Sequence, residues 1–377
     1  MSGLYLHIPF CKTRCIYCDF FSSVSEKKKS QYVDALCREL ILQKDYLDGE
    51  PVQTIYFGGG TPSQLEAKEF KQIFDCISSS GLTGNLPVKE ITLEVNPDDI
   101  SSGYLESIRH LPFNRISMGV QSFDDSELSF LNRRHNEKKA VEAIHKCKQF
   151  GFNNISIDLI YGLPGQTMEG WKATLQQALA LEIQHISAYH LIYEEGTRLY
   201  DLMHTGKILP VDENISVEMF SEMIVTLENA GFEHYEISNF ARPGFIAQHN
   251  SSYWNGTHYL GAGASAHSFN GKSRHWNISN LNDYIESASR GNIRKETEII
   301  GPAEAYNDFI LTRLRTMWGI DLTELEKKFG EDKKSYCLSQ ARKHLANQTL
   351  RLSGDKLTLT RKGIFVSDGI MSDLFLE

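Results

Sequence analysis

Six short runs of strand-forming residues alternate with stretches of helical period through the first half of the chain, and that alternation limits the fold more than any other feature. The runs are LYLHIPF (4–10), TIYF (54–57), ITLEV (91–95), RISMGV (115–120), NISIDLIY (154–161) and HISAYHLIY (185–193). Between them, apolar residues fall on single helical faces: Val33, Leu36, Cys37, Leu40 and Ile41, then Phe70, Ile73, Phe74 and Ile77, then Trp171, Leu175, Ala178 and Leu179. Strand–helix alternation with buried strands predicts a parallel sheet, and six units make an incomplete barrel rather than the full eight. The expected fold class is therefore α/β, a partial (β/α)6 barrel of TIM type. Such sheets bind ligands at the carboxyl ends of their strands. Those ends carry the polar and glycine-rich words here: the loop from His7 to Phe20, then GGGTP, EVNP, QSFDD, GLPGQ and EEGT. One rim gathers all six.

Beyond the sixth run, 215–230 has helical period, with Phe220, Met223, Ile224 and Leu227 in phase. The segment 234–269 is irregular and rich in aromatics and glycine. From about 305 the character changes. EAYNDFILTRLRTMW and DLTELEKKF predict helices, LRLSGDKLTLT predicts a hairpin around Ser-Gly-Asp, and a last helix starts at Thr360. That order suits a small, mostly helical, winged-helix-like C-terminal domain. Its charges are mixed rather than massed, which favours packing over DNA binding. The expected divisions are 1–235 for the barrel, 236–304 for a connecting segment and 305–377 for the C-terminal domain.

The net charge of −9 argues against nucleic-acid or anionic-membrane partners. No apolar run has the length of a membrane span. A cysteine loop stands where a signal peptide would, and lipidation signatures are missing. Of the seven cysteines, Cys37, Cys76, Cys147 and Cys337 are scattered over helical stretches and read as buried thiols. An odd count without a disulfide framework fits a reducing cytoplasm.

The other three, Cys11, Cys15 and Cys18, are spaced C-x3-C-x2-C. Structural zinc prefers four ligands, usually in two pairs. His7 could supply a fourth, yet it lies in a strand, and no second C-x2-C pair exists. An electron-transfer cluster on four cysteines lacks its last ligand. The leading expectation is a cubane with three irons on thiolates and one iron open to chelate the amino and carboxylate groups of a small molecule. Zinc and inert thiols are the alternatives.

This spacing, with Tyr17 before the last cysteine, resembles the radical S-adenosylmethionine superfamily. The words YLHIPFCKTRCIYCDF, GGGTP, EVNP, MGVQSF, LNRRH and IDLIYGLPGQT are similar to those of its coproporphyrinogen III dehydrogenase branch. The resemblance implies a 4Fe-4S cluster on Cys11, Cys15 and Cys18. Its open iron would take S-adenosylmethionine, whose reductive cleavage gives a 5′-deoxyadenosyl radical. It also implies cofactor contacts for Tyr5, for the backbone of Tyr17, and for Gly59, Gly60 and Thr61 at the methionine amino end. Glu94, Gln121, Arg133 and Asp158 fall at family positions contacting the methionine, ribose or adenosine. The residue types fit, because carboxylates accept from ammonium or hydroxyl groups and arginine grips carboxylates. Arg134 competes with Arg133; the L-x-R-x-H pattern of Leu131–His135 favours Arg133.

Within that branch, Phe20 stands where the dehydrogenases have a further cysteine, and their N-terminal extension has no counterpart before Leu4. Both departures resemble the sister group, the HemW-type haem chaperones, which bind haem and deliver it to respiratory haemoproteins. HNSSYW (249–254) fits that group's H-N-x-x-Y-W motif, in which the histidine is implicated in holding haem. Among thirteen histidines, His249 is thus the expected haem ligand, in a loop beside Phe245, Tyr253, Trp254 and Tyr259; His258 and His267 come next. Two positions depart from the group: Glu195 replaces a usual proline, and Gln248 replaces a cysteine, which leaves a covalent haem link without its thiol. The resemblance implies haem, respiratory haemoprotein acceptors and a haem donor protein as partners. It implies a cytoplasmic location, with any membrane association transient and through the acceptor. The runner-up is an oxygen-independent coproporphyrinogen III dehydrogenase; another radical enzyme is the third option.

Overall fold

The computed structural model describes residues 2–84 and 86–376. Six parallel strands form its centre: β1 (Ser2–Ile8), β2 (Val52–Gly59), β3 (Glu90–Val95), β4 (Arg115–Gln121), β5 (Ile155–Tyr161) and β6 (His185–His190). Each pairs with the next in chain order, through registers such as Tyr5↔Tyr56, Glu94↔Ser117 and Asp158↔Ser187. The sequence runs locate all six. The first begins two residues earlier than predicted and ends at Ile8, because Pro9 has no N–H to continue the ladder.

Alternation along the strands sorts the side chains. Leu4, Leu6, Ile8, Phe57, Leu93, Ile116, Met118, Ile157 and Ile186 are fully buried in one continuous core with the helices outside. The alternate positions, among them Tyr56, Glu94, Ser117, Asp158 and Ser187, turn into the barrel and line a cavity there. Helices Lys29–Leu42, Ala67–Ser80, Ser102–Ile108, Glu137–Gln149, Met168–Ala180 and Glu213–Asn229 cover the outside. Their starts are specified locally. Ser101, Asn136 and Thr167 cap with their side chains, and Glu66 with Glu69 forms a capping box. Trp171 anchors the outer layer, fully buried, with Nε1 donating to the Met219 carbonyl at 3.0 Å.

The sheet does not stop at six strands. Beyond β6 lie β8 (Asn239–Ala241) and then β7 (Glu233–Glu236), both antiparallel. On the other side, β9 (His258–Ala262) runs parallel to β1 and is followed outward by β10 (His267–Phe269), β11 (Ser273–Asn277) and β12 (Lys295–Ile299). The segment expected to be an irregular connector therefore builds one wing of a twelve-stranded sheet. A buried carboxylate fastens that wing. Glu39, with no exposed surface, accepts from Tyr284 Oη (2.6 Å), Gly263 N (2.8 Å) and Asn277 Nδ2 (2.6 Å).

The C-terminal part has its own core around Tyr306, Phe309, Ile310, Leu325 and Leu357. It combines helices Pro302–Leu314, Leu322–Phe329 and Glu331–Ala346 with a three-stranded sheet of β13 (Ile320–Asp321), β15 (Lys356–Leu359) and β14 (Leu350–Ser353), in that order. It docks on the barrel through Met317 N to the Tyr235 carbonyl (3.0 Å), the Arg315–Glu236 ion pair (3.4 Å) and Arg315 stacked over Trp254 (5.1 Å). Among the described residues, no helix is long and apolar enough to cross a membrane.

Candidate cofactor site

The cysteine loop leaves β1 at Pro9 and closes on its own base: Cys11 N donates to the Ser23 carbonyl (3.0 Å) and Ser23 N to that of Pro9 (2.6 Å). Its far side is tied to the chain after β4, where Asn132 Nδ2 donates to the Arg14 carbonyl (2.8 Å) and Ile16 N to the Leu131 carbonyl (3.3 Å). His7 braces it from below. Nε2 donates to the Phe21 carbonyl at 2.9 Å, leaving Nδ1 to accept from Tyr5 Oη at 3.2 Å, and burial lowers the imidazole to about 4. A neutral ring with both nitrogens committed is a strut, which removes His7 as a fourth ligand for zinc.

Cys11, Cys15 and Cys18 open onto one cavity of about 460 Å³ at the carboxyl ends of the strands. Among the described residues, no three His, Cys, Asp or Glu side chains converge as a single-ion site would require. The donor set suits a larger group, with three thiols arranged around a space. Burial pushes Cys18 up to about 11 and raises Cys11, so metal uptake there would exchange protons for iron.

Gly59, Gly60 and Thr61 carry the chain past this loop. Gly59 is left-handed (φ +107°), and a Cβ there would lie 2.5 Å from His7 Nδ1; one on Gly60 would meet the Pro9 backbone at 2.8 Å. Their lack of side chains lets β2 approach the cysteine loop, and Thr61 Oγ1 reaches Cys11 Sγ at 3.3 Å. Glu94 accepts from Tyr56 Oη (2.6 Å) and Gly59 N (3.2 Å). Burial, with Asp158 nearby, raises it to about 7. Asp158 is likewise raised by burial, to about 6, with Arg115, Ser187 and Arg133 pulling the other way. Gln121 ends β4 in the left-handed region (φ +70°), a costly conformation for a non-glycine residue of the kind that clusters at ligand sites.

Arg133 donates to the Gly119 carbonyl (2.5 Å) and approaches Cys15 Sγ (3.3 Å), with Nε buried and unpartnered. Arg134 turns away to pair with Asp98 (3.7 Å) and Asp99 (3.3 Å). Of the two arginines, Arg133 is the one that faces the cavity. Eleven predicted residues line this one cavity: the three cysteines, Tyr17, Gly59, Gly60, Thr61, Glu94, Gln121, Arg133 and Asp158.

Tyr5 and His249 do not line it. Tyr5 stacks on Tyr56 at 6.1 Å behind the cavity wall. The expectation of a loop around His249 is corrected, because Gln248–Trp254 is a helix inserted against β1 and β2. His249 is fully buried; Nδ1 lies 2.9 Å from Thr54 Oγ1 and Nε2 2.9 Å from Tyr253 Oη. Its helix start is fixed by Glu90, which accepts from the backbone N of Gln248 (2.8 Å) and His249 (3.0 Å). Both ring nitrogens are engaged, so in this conformation neither is free for an iron. Trp254 is covered by Arg315, not set beside an open face.

Sequence reasoning missed Tyr56, Asn96, Ser117, Ser187 and Tyr189, which share the cavity wall. Two were legible from the period-two alternation of residues already chosen: Asn96 stands two positions after Glu94, and Ser117 four before Gln121 on the same face of β4.

Comparison with known proteins agrees with this geometry. Residues 5–178 match the radical SAM superfamily and residues 300–366 the HemN C-terminal domain. The chain is 34% identical to the heme chaperone HemW of Bacillus subtilis, over 88% of this chain and 87% of that one. It is 31% identical to that of Lactococcus lactis, over 100% and 98%. The coproporphyrinogen III oxidase HemN of Escherichia coli, whose structure is described as that of a radical SAM enzyme, shares the fold. Its TM-score is 0.83 at 24% identity, covering 99% of this chain and 90% of that one. The chain therefore belongs to the heme chaperone HemW family of the radical SAM superfamily.

Proposed function

We propose that this protein is a haem chaperone built on a radical SAM core. It takes up haem as cargo and hands it to respiratory haemoproteins, with a donor protein upstream, in the cytoplasm. The observation that carries this is the single cavity in which three free thiols meet an arginine and two buried carboxylates, in a chain whose full-length relatives are named heme chaperones. Phe20, 62% exposed on the rim, offers bulk where a further thiol would be expected in a dehydrogenase.

Cys11, Cys15 and Cys18 would hold a 4Fe-4S cluster, and S-adenosylmethionine would lie on the rim beside it. Together they supply one-electron cleavage of a sulfonium. The chain's own residues orient and shield. Glu94, already fixed by Tyr56 and Gly59, offers its carboxylate to an ammonium group. Asp158 and Gln121 would present acceptors to ribose hydroxyls, and the Tyr17 backbone would add a contact from the cysteine loop. Arg133 places positive charge beside Cys15.

The test is transfer. Protein loaded with one equivalent of haem is mixed with an apo-haemoprotein from which it can be separated by size. Haem appearing in the acceptor faster than free haem enters it supports a chaperone. Haem that stays on the protein, or reaches the acceptor no faster than free haem, refutes delivery.

A further inference from the structure

A second cavity, of about 380 Å³, adjoins the first, with Asp19 and Phe20 of the cysteine loop common to both. Phe20, Phe21, Tyr253 and Tyr259 line it together with Tyr5 and His7. A lining rich in flat rings suits a flat aromatic ligand. No cysteine borders it. Burial raises Tyr5 and Tyr253 well above the usual phenol range, so they stay protonated and are poor iron ligands.

One histidine differs from its neighbours. His7 is bonded to Tyr5 and Phe21, His190 at the first cavity to Ser216, and His249 to Thr54 and Tyr253. His267, on β10 at the edge of the second cavity, is exposed. Among the described residues no hydrogen-bond partner reaches its ring, which stacks on Trp276 at 5.8 Å and 24°. Partial burial lowers its pKa, keeping a nitrogen lone pair available at neutral pH. The turn that delivers it holds Ser265, also in the cavity wall, in the left-handed region (φ +65°). Backbone strain of that kind concentrates at ligand clamps.

The H-N-x-x-Y-W word reaches this cavity through its tyrosine. Tyr253 lines the wall, and its hydroxyl is held by His249 Nε2 at 2.9 Å. We infer that the haem cargo binds in this second cavity, with His267 as axial iron ligand and Tyr253, positioned by His249, against the macrocycle. This rests on the haem-chaperone reading above. His249 is then a positioning residue, and the cysteine loop forms a wall shared by cluster and cargo.

The test is titration of ferric haem into the full-length, cluster-reconstituted protein, followed by the Soret shift and by electron paramagnetic resonance of the ferric iron. Wild type is expected to show nitrogen ligation. His267→Ala is expected to lose that signature and bind about tenfold or more weaker, and added imidazole is expected to restore the signature. His249→Ala is expected to keep the signature while weakening affinity, and His249→Gln, still able to bond Tyr253, to recover affinity. His267 is exposed, and unchanged circular dichroism and iron content show that its variant folds. A wild-type spectrum and affinity in His267→Ala, or loss of nitrogen ligation in His249→Ala alone, overturns the assignment. Wild-type protein that binds no haem refutes instead the chaperone reading on which the assignment rests.

Discussion

Replacing Glu94 by Gln is expected to weaken S-adenosylmethionine affinity and to change apoprotein stability by an amount that depends on pH. The native carboxyl sits at about 7 against an ordinary 4.5, chiefly through burial. Between those two values the native state binds more protons than the unfolded state, so this group's contribution makes stability fall as pH rises across the window and level off above it. The gap, 7 − 4.5, or 2.5 pKa units, corresponds to at most about 3 kcal/mol. The carboxylate borders a cavity, and water there reduces the figure to about 1–2 kcal/mol. Gln is neutral throughout and loses one of the two hydrogen bonds from Tyr56 and Gly59, about 1 kcal/mol. The variant should therefore be less stable than wild type near pH 4.5, then match or pass it above pH 7, a swing of about 1–2 kcal/mol. Binding should weaken by about 1.5–3 kcal/mol, roughly tenfold or more, because the ligand's ammonium loses its charged partner. Denaturant unfolding of the apoprotein across that pH range gives the first quantity, and calorimetry with S-adenosylmethionine on reconstituted protein the second. A stability difference that does not change with pH, or an unchanged affinity, refutes the placement of this carboxylate.

Changing Cys11, Cys15 and Cys18 together to Ala is expected to abolish iron and sulfide uptake in anaerobic reconstitution; equal content in variant and wild type would exclude the loop as the cluster's holder. Gly59→Ala forces a Cβ against His7 and an unfavourable φ, so it should cost about 1–3 kcal/mol in thermal unfolding and lower iron retention. Arg133→Ala and Asp158→Ala should each weaken S-adenosylmethionine binding about tenfold or more by calorimetry. Unchanged affinity in both would remove them from the site.

The barrel was legible because its strands are short-range objects. Each is an apolar run closed by a polar word, and the words mark the ligand rim whatever the exact strand ends. The wing from β9 to β12 was not legible. Its strands are short, β12 (KETEI) is exposed along its whole length, and β9 is fixed by pairing with β1, as in Ser2↔His258, rather than by any local period. His249 shows the same limit from the other side. An i,i+4 relation to Tyr253 was present in the sequence and marks a helix. Its burial, however, depends on Thr54, far away in the chain, and no spacing rule reports that contact. Arg115 is a third case. It reads as the first residue of a strand, yet it is buried inside the barrel, where its charge opposes the burial that raises Asp158 and adds to the burial that lowers His249.

The central claim, haem as cargo on a radical SAM scaffold, is tested most directly by one anaerobic incubation. Cluster-reconstituted protein with S-adenosylmethionine and reductant is given coproporphyrinogen III in one vessel and haem in another, and both are followed by chromatography and absorbance. The account predicts a bound haem with a shifted Soret band and no protoporphyrinogen IX above a cluster-free control. Porphyrinogen conversion well above that control, with haem left unbound, would contradict it and make the protein a coproporphyrinogen III dehydrogenase.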